Sequence, residues 1–349
     1  MKVAVLLSGG VDSSVVLALL KDRRYDVTAF YLKIWLEEET AFLGDCPWEE
    51  DLHYARSVCE QMDVPLEILP LQQEYYDRVV SYALAELNVG RTPSPDIFCN
   101  QRIKFGAFYD HIDDSFTKVA TGHYAEIHDI NGTFHLQRAV DPVKDQTYFL
   151  SHLSQAQLQR ALFLLGGFPK AKVRELAETY HLPTKDRKDS QGICFLGKIK
   201  YNEFIKFNLG EKTGDIIEWE SGKILGHHQG AWYHTIGQRQ GLRLGGGPWF
   251  VVKKDMEQNI VYVTHQDHLA QQARSTFEVG SLHWIADPPA KTNLQTKLRH
   301  GPAMYACRIA AQEEDRLSVT LDQADPGVAP GQFAVFYDGD ECLGAGTIL

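Results

Sequence analysis

The sequence predicts an α/β chain: a doubly wound parallel sheet followed by two small β-rich, barrel-like modules. Three observations carry this. Apolar β-rich runs alternate with amphipathic helical ones over residues 1–208, the pattern of a parallel sheet with right-handed crossovers. Near Leu209-Gly210 the texture changes to short β-like runs broken by Gly, Asn, Asp and Pro. A second change follows Asp287-Pro288-Pro289, and we divide the chain at 1–208, 209–274 and 275–349.

Taken in order, Lys2–Leu7 (KVAVLL) is a buried strand, followed by a helix over Ser14–Leu20. Val27–Leu32 is the second strand, and Glu49–Met62 a helix with Leu52, Ala55, Val58, Cys59 and Met62 on one face. Pro65–Leu69 is a short strand, Glu74–Leu87 a helix, and Lys118–Thr121 a strand ending at Gly122-His123. Asn131-Gly132 marks a hairpin within Tyr124–Val140, and helices follow at Ser154–Leu165 and Lys170–Tyr180. The later strands are IIEW, KILG, WFVVKK and NIVYVT, then Tyr305–Ala311, Leu317–Leu321, Ala334–Tyr337 and Cys342–Ile348, with a turn at Asp338-Gly339.

A chain of 349 residues with 44% hydrophobic and 23% charged residues reads as globular and multidomain. It has no apolar run of membrane-spanning length and no charged-then-apolar leader at Met1, so we expect no membrane partner and a cytoplasmic setting, an organelle stroma or matrix being the alternative. Six cysteines without a C-x-x-C pair do not make a zinc ribbon or a disulfide scaffold, and His227-His228 lack further ligands, so no protein-bound metal site is assigned. The net charge of −11 argues against non-specific nucleic-acid binding, although Arg91, Arg102 and Lys104, the Lys185–Lys188 cluster, and Arg239, Arg243, Lys253 and Lys254 can still form local basic faces.

The most informative segment is Ser8-Gly9-Gly10-Val11-Asp12-Ser13-Ser14, between the first strand and its helix. Glycines there permit close backbone approach, hydroxyls donate hydrogen bonds, and the helix N-terminus favours anions. The loop lacks the Gly-Lys-Ser/Thr ending of a Walker A motif. It resembles instead the PP-loop of the ATP pyrophosphatase superfamily, whose members split ATP between the α- and β-phosphates. In a doubly wound sheet ligands bind beyond the carboxyl ends of the strands, where this loop, Leu32 and Gly122-His123 all fall.

Two cysteines stand in unusual company. Cys99 lies in Pro93-Ser94-Pro95-Asp96-Ile97-Phe98-Cys99-Asn100, with Arg102 and Lys104 following. Pro95 ends the extended stretch, so a helix should open at Asp96 and place the thiol near its N-terminus, beside two cations that lower its pKa. Asp96, one turn away, could move a proton or orient a substrate. The plain alternative is a buried cysteine under a capping aspartate. Cys194 follows a polar, basic, glycine-bearing stretch, Lys185–Gly192, and could hold a thiolate or a persulfide. Cys59, Cys307 and Cys342 read as core, and Cys46 is given no chemistry. An adenylating loop with two activated thiols fits replacement of a carbonyl oxygen by sulfur: adenylation makes the oxygen a leaving group, and the second thiol releases sulfur from the donor.

With these motifs the chain resembles the tRNA-specific 2-thiouridylase family over nearly its whole length. The landmarks are Ser8–Ser14, PDIFCN with IKFG, TGHYA (Thr121–Ala125), KDQTYFL (Lys144–Leu150), DSQGICF (Asp189–Phe195), HTIGQRQGL (His234–Leu242) and PGQFAVFYDGD (Pro330–Asp340). The resemblance implies ATP-dependent 2-thiolation of the wobble uridine of tRNA. It implies that Leu6, Leu7, Ser8, Gly9, Gly10, Val11, Asp12, Ser13, Leu32 and Gly122 hold ATP, with Mg²⁺ accompanying the phosphates. Cys99 is then the nucleophile, assisted by Asp96, and Cys194 the persulfide carrier loaded by a sulfur-donor protein. Ser94, Pro95 and Asp96 would approach the target base, and Lys144, Asp145 and Gln146 would contact tRNA. In that family the two cysteines can also pair as a disulfide. One departure stands out: Ile309-Ala310, beside Arg308, occupy the place of an expected Arg-Tyr strand that meets tRNA. Two rivals remain open, an amide-forming PP-loop ligase that needs neither cysteine and an RNA-binding protein with a vestigial nucleotide loop.

Overall fold

The computed structural model describes residues 1–34, 48–189, 201–312 and 315–349. The chain begins β1 (Lys2–Leu6), α1 (Val11–Asp22), β2 (Asp26–Lys33), α2 (Trp48–Met62) and β3 (Leu66–Pro70). Two composite helices follow. In α3, Gln72–Tyr75, Tyr76–Val80 and Ser81–Asn88 run on from one another; in α4, Pro95–Phe98, Cys99–Ala107 and Phe108–His111 do. After β4 (Phe116–Thr121) come the hairpin β5 (Ala125–Ile130) and β6 (Thr133–Arg138), the short helices α5 (Thr147–Leu150) and α6 (Gln155–Arg160), and β7 (Ala161–Phe163). Helices α7 (Lys170–Thr179) and α8 (Tyr201–Leu209) complete this part.

Strands β3-β2-β1-β4-β7 form one sheet in that order, every pair parallel. Order reverses on either side of β1, which puts the switch point between β1 and β4, the usual place for a ligand crevice. Both faces are covered, which is why β1 reads as continuously apolar. Val3 and Val5 face one way, into the core made with α1, α2 and α7; Ala4 and Leu6 face the other, against Phe108, Ile112 and Phe116.

One sequence expectation changes here. The helix expected over Ser154–Leu165 stops at Arg160. A capping box between Ser154 and Gln157 starts it, and Ala161–Phe163 then joins the sheet beside β4. A short apolar run such as ALFLL has no period that separates strand from helix. The hairpin at Asn131-Gly132 forms as expected, with Asn131 and Gly132 both at positive φ. Its partner is remote, however: β6 pairs with the last strand of the chain.

The central region forms a four-stranded sheet from β8 (Gly214–Glu218), β9 (Ile224–His228), β10 (Trp249–Asp255) and β11 (Ile260–His265), in order β10-β11-β8-β9. The last region adds β12 (Arg274–Trp284) and β13 (Asn293–Lys297), which the sequence reading did not single out. It continues with β14 (Tyr305–Ala311), β15 (Leu317–Asp325), β16 (Phe333–Asp338) and β17 (Glu341–Ile348). Order β12-β15-β14-β13-β16-β17 closes on itself through β12–β17, all antiparallel, so these six strands make a barrel. Arg308 is exposed on β14 and Ile309 points into the barrel core. No helix among the described residues is long and apolar enough to cross a membrane.

Candidate functional site

The loop after β1 is held in shape by its own hydroxyls. Ser13 Oγ accepts from Ser8 N at 3.2 Å, lies 3.2 Å from Ser8 Oγ and 3.2 Å from the Gly10 carbonyl, while Ser14 Oγ donates to that carbonyl at 2.8 Å. Gly10 caps α1 in an extended conformation without a side-chain cap, leaving the first amides of the helix aimed at the crevice. Gly9 takes φ +75°, and a Cβ there would lie 2.2 Å from the Asp51 carbonyl oxygen of α2, so only glycine fits. Gly122, at the end of β4, meets the other side: a Cβ on it would sit 2.9 Å from Ser13 N and 3.1 Å from Asp12 Cβ. The turns at the ends of β1 and β4 are therefore in contact. Leu6 and Leu7 are buried beneath them, and Leu32 is half-buried near the end of β2, paired with Leu69.

Charges gather at this switch point. Asp12 Oδ1 accepts from the Tyr124 hydroxyl at 2.7 Å and from Lys170 Nζ at 2.6 Å. Lys170, at the start of α7, also reaches Asp189 at 2.8 Å; Arg174 binds the same carboxylate at 2.6 Å, and Lys144 completes the set. Burial pushes the Asp189 carboxyl up, but hydrogen bonds from Lys144 and Lys170 outweigh it and hold the pKa at about 2. Arg187 donates to the Gly9 carbonyl at 2.7 Å and to Asp51 at 2.7 Å, with its guanidinium 4.4 Å over the Tyr54 ring. Segment 183–189 is thus fastened onto the glycine loop. Lys170, Arg174, Arg187 and Tyr124 were not assigned from sequence. Helix α7 alone reads as an ordinary amphipathic helix, and only the crossover places its N-terminus at the loop.

Helix α4 carries the Ser94–Cys99 motif. Pro95 occupies its first turn, where a missing N–H costs nothing. Cys99 starts a stretch of wider, π-helical turns, whose carbonyls at Gln101 and Phe105 both accept from Gln157 Nε2 at 2.7 Å. The thiol is 1% exposed in a mainly apolar cluster. The burial is that of the plain alternative, a buried cysteine near a helix start. Its reason is that Leu71, Tyr75 and the α5 residues pack over that turn. Of the two cations expected beside it, Arg102 stacks 3.7 Å over Phe98 and Lys104 donates to Asn100 Oδ1 at 3.0 Å. Asp96 and Ser94 are half-buried and Pro95 is buried. The helix reaches the loop through His123, whose ring lies 6.1 Å from Phe105; burial, then Lys104, drives its pKa well below the ordinary value, and it pairs with Thr121 Oγ1 at 2.7 Å.

The Lys144-Asp145-Gln146 tripeptide borders the same crevice. Gln146 clasps Tyr124 at two points, accepting from its amide and donating to its carbonyl, both at 3.0 Å. Lys144 reaches Asp189. Asp145 differs from expectation: its side chain is fully buried and faces Lys297 of the barrel at 2.9 Å, not a substrate. Cys194 and the Ser190–Phe195 part of its motif lie outside the described residues. No disulfide joins the described cysteines Cys59, Cys99, Cys307 and Cys342.

Comparison with known proteins places these features. The family described as tRNA methyl transferase HUP domain matches residues 1–198, tRNA methyl transferase PRC-barrel domain residues 202–265, and Aminomethyltransferase beta-barrel domain residues 274–348. A tRNA-specific 2-thiouridylase MnmA of Parabacteroides distasonis is 45% identical, with 100% of this chain and 99% of the relative covered. The chain belongs to the tRNA-specific 2-thiouridylase family, a family of tRNA sulfurtransferases. A second 2-thiouridylase, from Bacteroides fragilis, is 45% identical with both chains covered in full, and one from Porphyromonas gingivalis is 43% identical with 100% and 99% covered. For a 2-thiouridylase the arrangement is chemically sensible. A serine-glycine turn and a cationic cluster meet at the end of β1, and the cysteine-bearing helix touches the neighbouring strand end through Phe105 and His123.

Proposed function

We propose that this protein thiolates carbon 2 of the wobble uridine of tRNA at the expense of ATP. The observation that carries the reading is the contact between the serine-glycine loop and Gly122-His123, which sets a helix N-terminus and Lys170 against the space where an α-phosphate would lie. Loop amides, the α1 N-terminus and Lys170 stabilise charge developing on that phosphate. Mg²⁺ travels with the triphosphate, and Asp12, whose Oδ1 is held by Lys170 and Tyr124, is the loop's carboxylate toward it.

The uracil O2 attacks the α-phosphorus and diphosphate leaves. The terminal sulfur of a persulfide on Cys194 then attacks C2, and AMP departs with the former O2. The Cys99 thiolate attacks the Cys194 sulfur, freeing the C2 thiocarbonyl and leaving a Cys99–Cys194 disulfide that an external thiol must reduce. In an alternative order, Cys99 attacks first and hydrosulfide carries the sulfur to C2. Ser94 to Asp96 would line the base pocket, and a sulfur-donor protein would reload Cys194.

Nucleoside mass spectrometry of tRNA incubated with enzyme, ATP and a sulfur donor tests this. We expect 2-thiouridine from the wild type and none from Cys99→Ser or Cys194→Ser. Thiolation at the wild-type rate by either variant overturns the assignment. Activity that survives thiol alkylation points to a PP-loop ligase instead.

A further inference from the structure

We propose that Lys297, on barrel strand β13, is a positioning residue for RNA recognition. Held through Asp145, it fixes the Lys144–Gln146 edge of the crevice. This rests on the tRNA-thiolating reading above.

The pair is unusual for its depth. Lys297 is 1% exposed and Asp145 not at all, at 2.9 Å. Charges seldom enter a protein interior without several compensating bonds, and such pairs are weak devices for stability alone. Here the compensation is dense on the carboxylate. Asp145 accepts from Thr147 Oγ1 at 2.8 Å, from the amides of Thr147 and Ala139 at 3.3 and 3.4 Å, and from Arg138 at 3.5 Å. Thr147 Oγ1 in turn lies 3.2 Å from the Tyr337 hydroxyl of β16, and Lys297 Nζ sits 5.7 Å from that ring's centroid.

The residues on either side of Asp145 face the nucleotide loop. Lys144 binds Asp189, which Lys170 ties to Asp12; Gln146 clasps Tyr124, whose hydroxyl also binds Asp12. A barrel cation is therefore three hydrogen-bonded links from the loop through Gln146 and four through Lys144. The backbone of Asp145 cannot shift without moving both neighbours, so Lys297 sets the position of the two side chains of this motif that are not wholly buried.

A double-mutant cycle separates positioning from stability. Lys297→Met and Asp145→Asn each leave one partner buried without its match and should lower the melting temperature. The double variant removes both charges and should regain most of it. We expect its KM for tRNA to stay raised at least fivefold, with KM for ATP within twofold and kcat within threefold of wild type. Recovery of the tRNA KM together with the melting temperature makes the pair merely structural and overturns the proposal. Should the double variant not fold, Thr147→Val decides: it keeps both charges and deletes one bond to Asp145. A tRNA KM raised about twofold supports the proposal and an unchanged one overturns it. A wild-type protein that does not thiolate tRNA refutes the functional reading instead, whatever the variants do.

Discussion

The two β regions are attached to the nucleotide-binding sheet in different ways. The C-terminal barrel shares a core with it: Phe333, Val335, Tyr337 and Cys342 pack in one cluster with Phe98, Cys99, Tyr148 and Leu150. The β5–β6 hairpin of the first region also joins the barrel's sheet, since β6 pairs with β17, and the buried Lys297–Asp145 pair crosses the seam. The central sheet has its own small core of Ile216, Ala231, Leu242, Val251, Val261 and Val263. It meets its neighbours through Thr92 to Thr235 at 3.3 Å, Met256 against Gly90, and Trp232 and Tyr233 packed at the margin of the shared cluster. Regions that share buried core residues should unfold together, and one that touches that core only through half-buried side chains can open first. The lesson is that the barrel contributes fully buried residues to the core of the first region, whereas the central sheet buries most of its apolar side chains in a core of its own.

The strongest way to break this comparison is truncation of each core. Phe333→Ala should cost about 3–5 kcal/mol and Leu242→Ala about 2–5 kcal/mol, the cavity adding to the lost burial. By calorimetry the first should lower the transition of the nucleotide sheet and barrel together, and the second only a separate, earlier transition. A single transition shifted equally by both variants would remove the distinction.

Acid sharpens it. Burial, then His283 and Arg102, lowers His152 at the barrel seam to about 3 from an ordinary 6.5; burial, then His228 and Lys254, lowers His234 of the central region to about 4. Below about pH 6.5 the unfolded chain binds protons that the folded chain refuses, so stability is full at neutral pH and falls as the pH drops. At pH 5 each histidine should withdraw up to about 2 kcal/mol. His152→Gln should flatten the pH dependence of the main transition, and His234→Gln that of the early one.

The smallest expected effect lies away from both seams. Gly122→Ala pushes a methyl group against Ser13 and Asp12. ATP affinity measured by calorimetric titration should fall about tenfold, roughly 1.4 kcal/mol, with both melting transitions in place. A change in either transition would mean that the loop is part of a seam after all.

Much of the site was legible because it is local. Ser8–Ser14 is a contiguous loop whose glycines and hydroxyls announce their geometry, and Gly122-His123 falls at a strand end that the α/β alternation locates. The parallel sheet followed from the same alternation, and most strand positions in the β regions from their turn residues. What the sequence by itself determined was therefore local structure carried by neighbours in the chain: the serine-glycine loop, the order of elements, and the helix that opens beside Pro95.

Only the tertiary structure decided the rest, because it depends on residues far apart in sequence. Asp145 reads as one polar residue of a surface motif until Lys297 is folded onto it. Lys170 looks like any lysine of an amphipathic helix until the crossover brings it to Asp12, and the burial of Cys99 is undecided until Leu71, Tyr75 and α5 pack with it. The run ALFLL becomes a strand because β4 offers a free edge, and the 125–138 hairpin joins the barrel because β17 does. Burial and pairing are properties of the assembled core, and a linear pattern records them only where the partners are close along the chain.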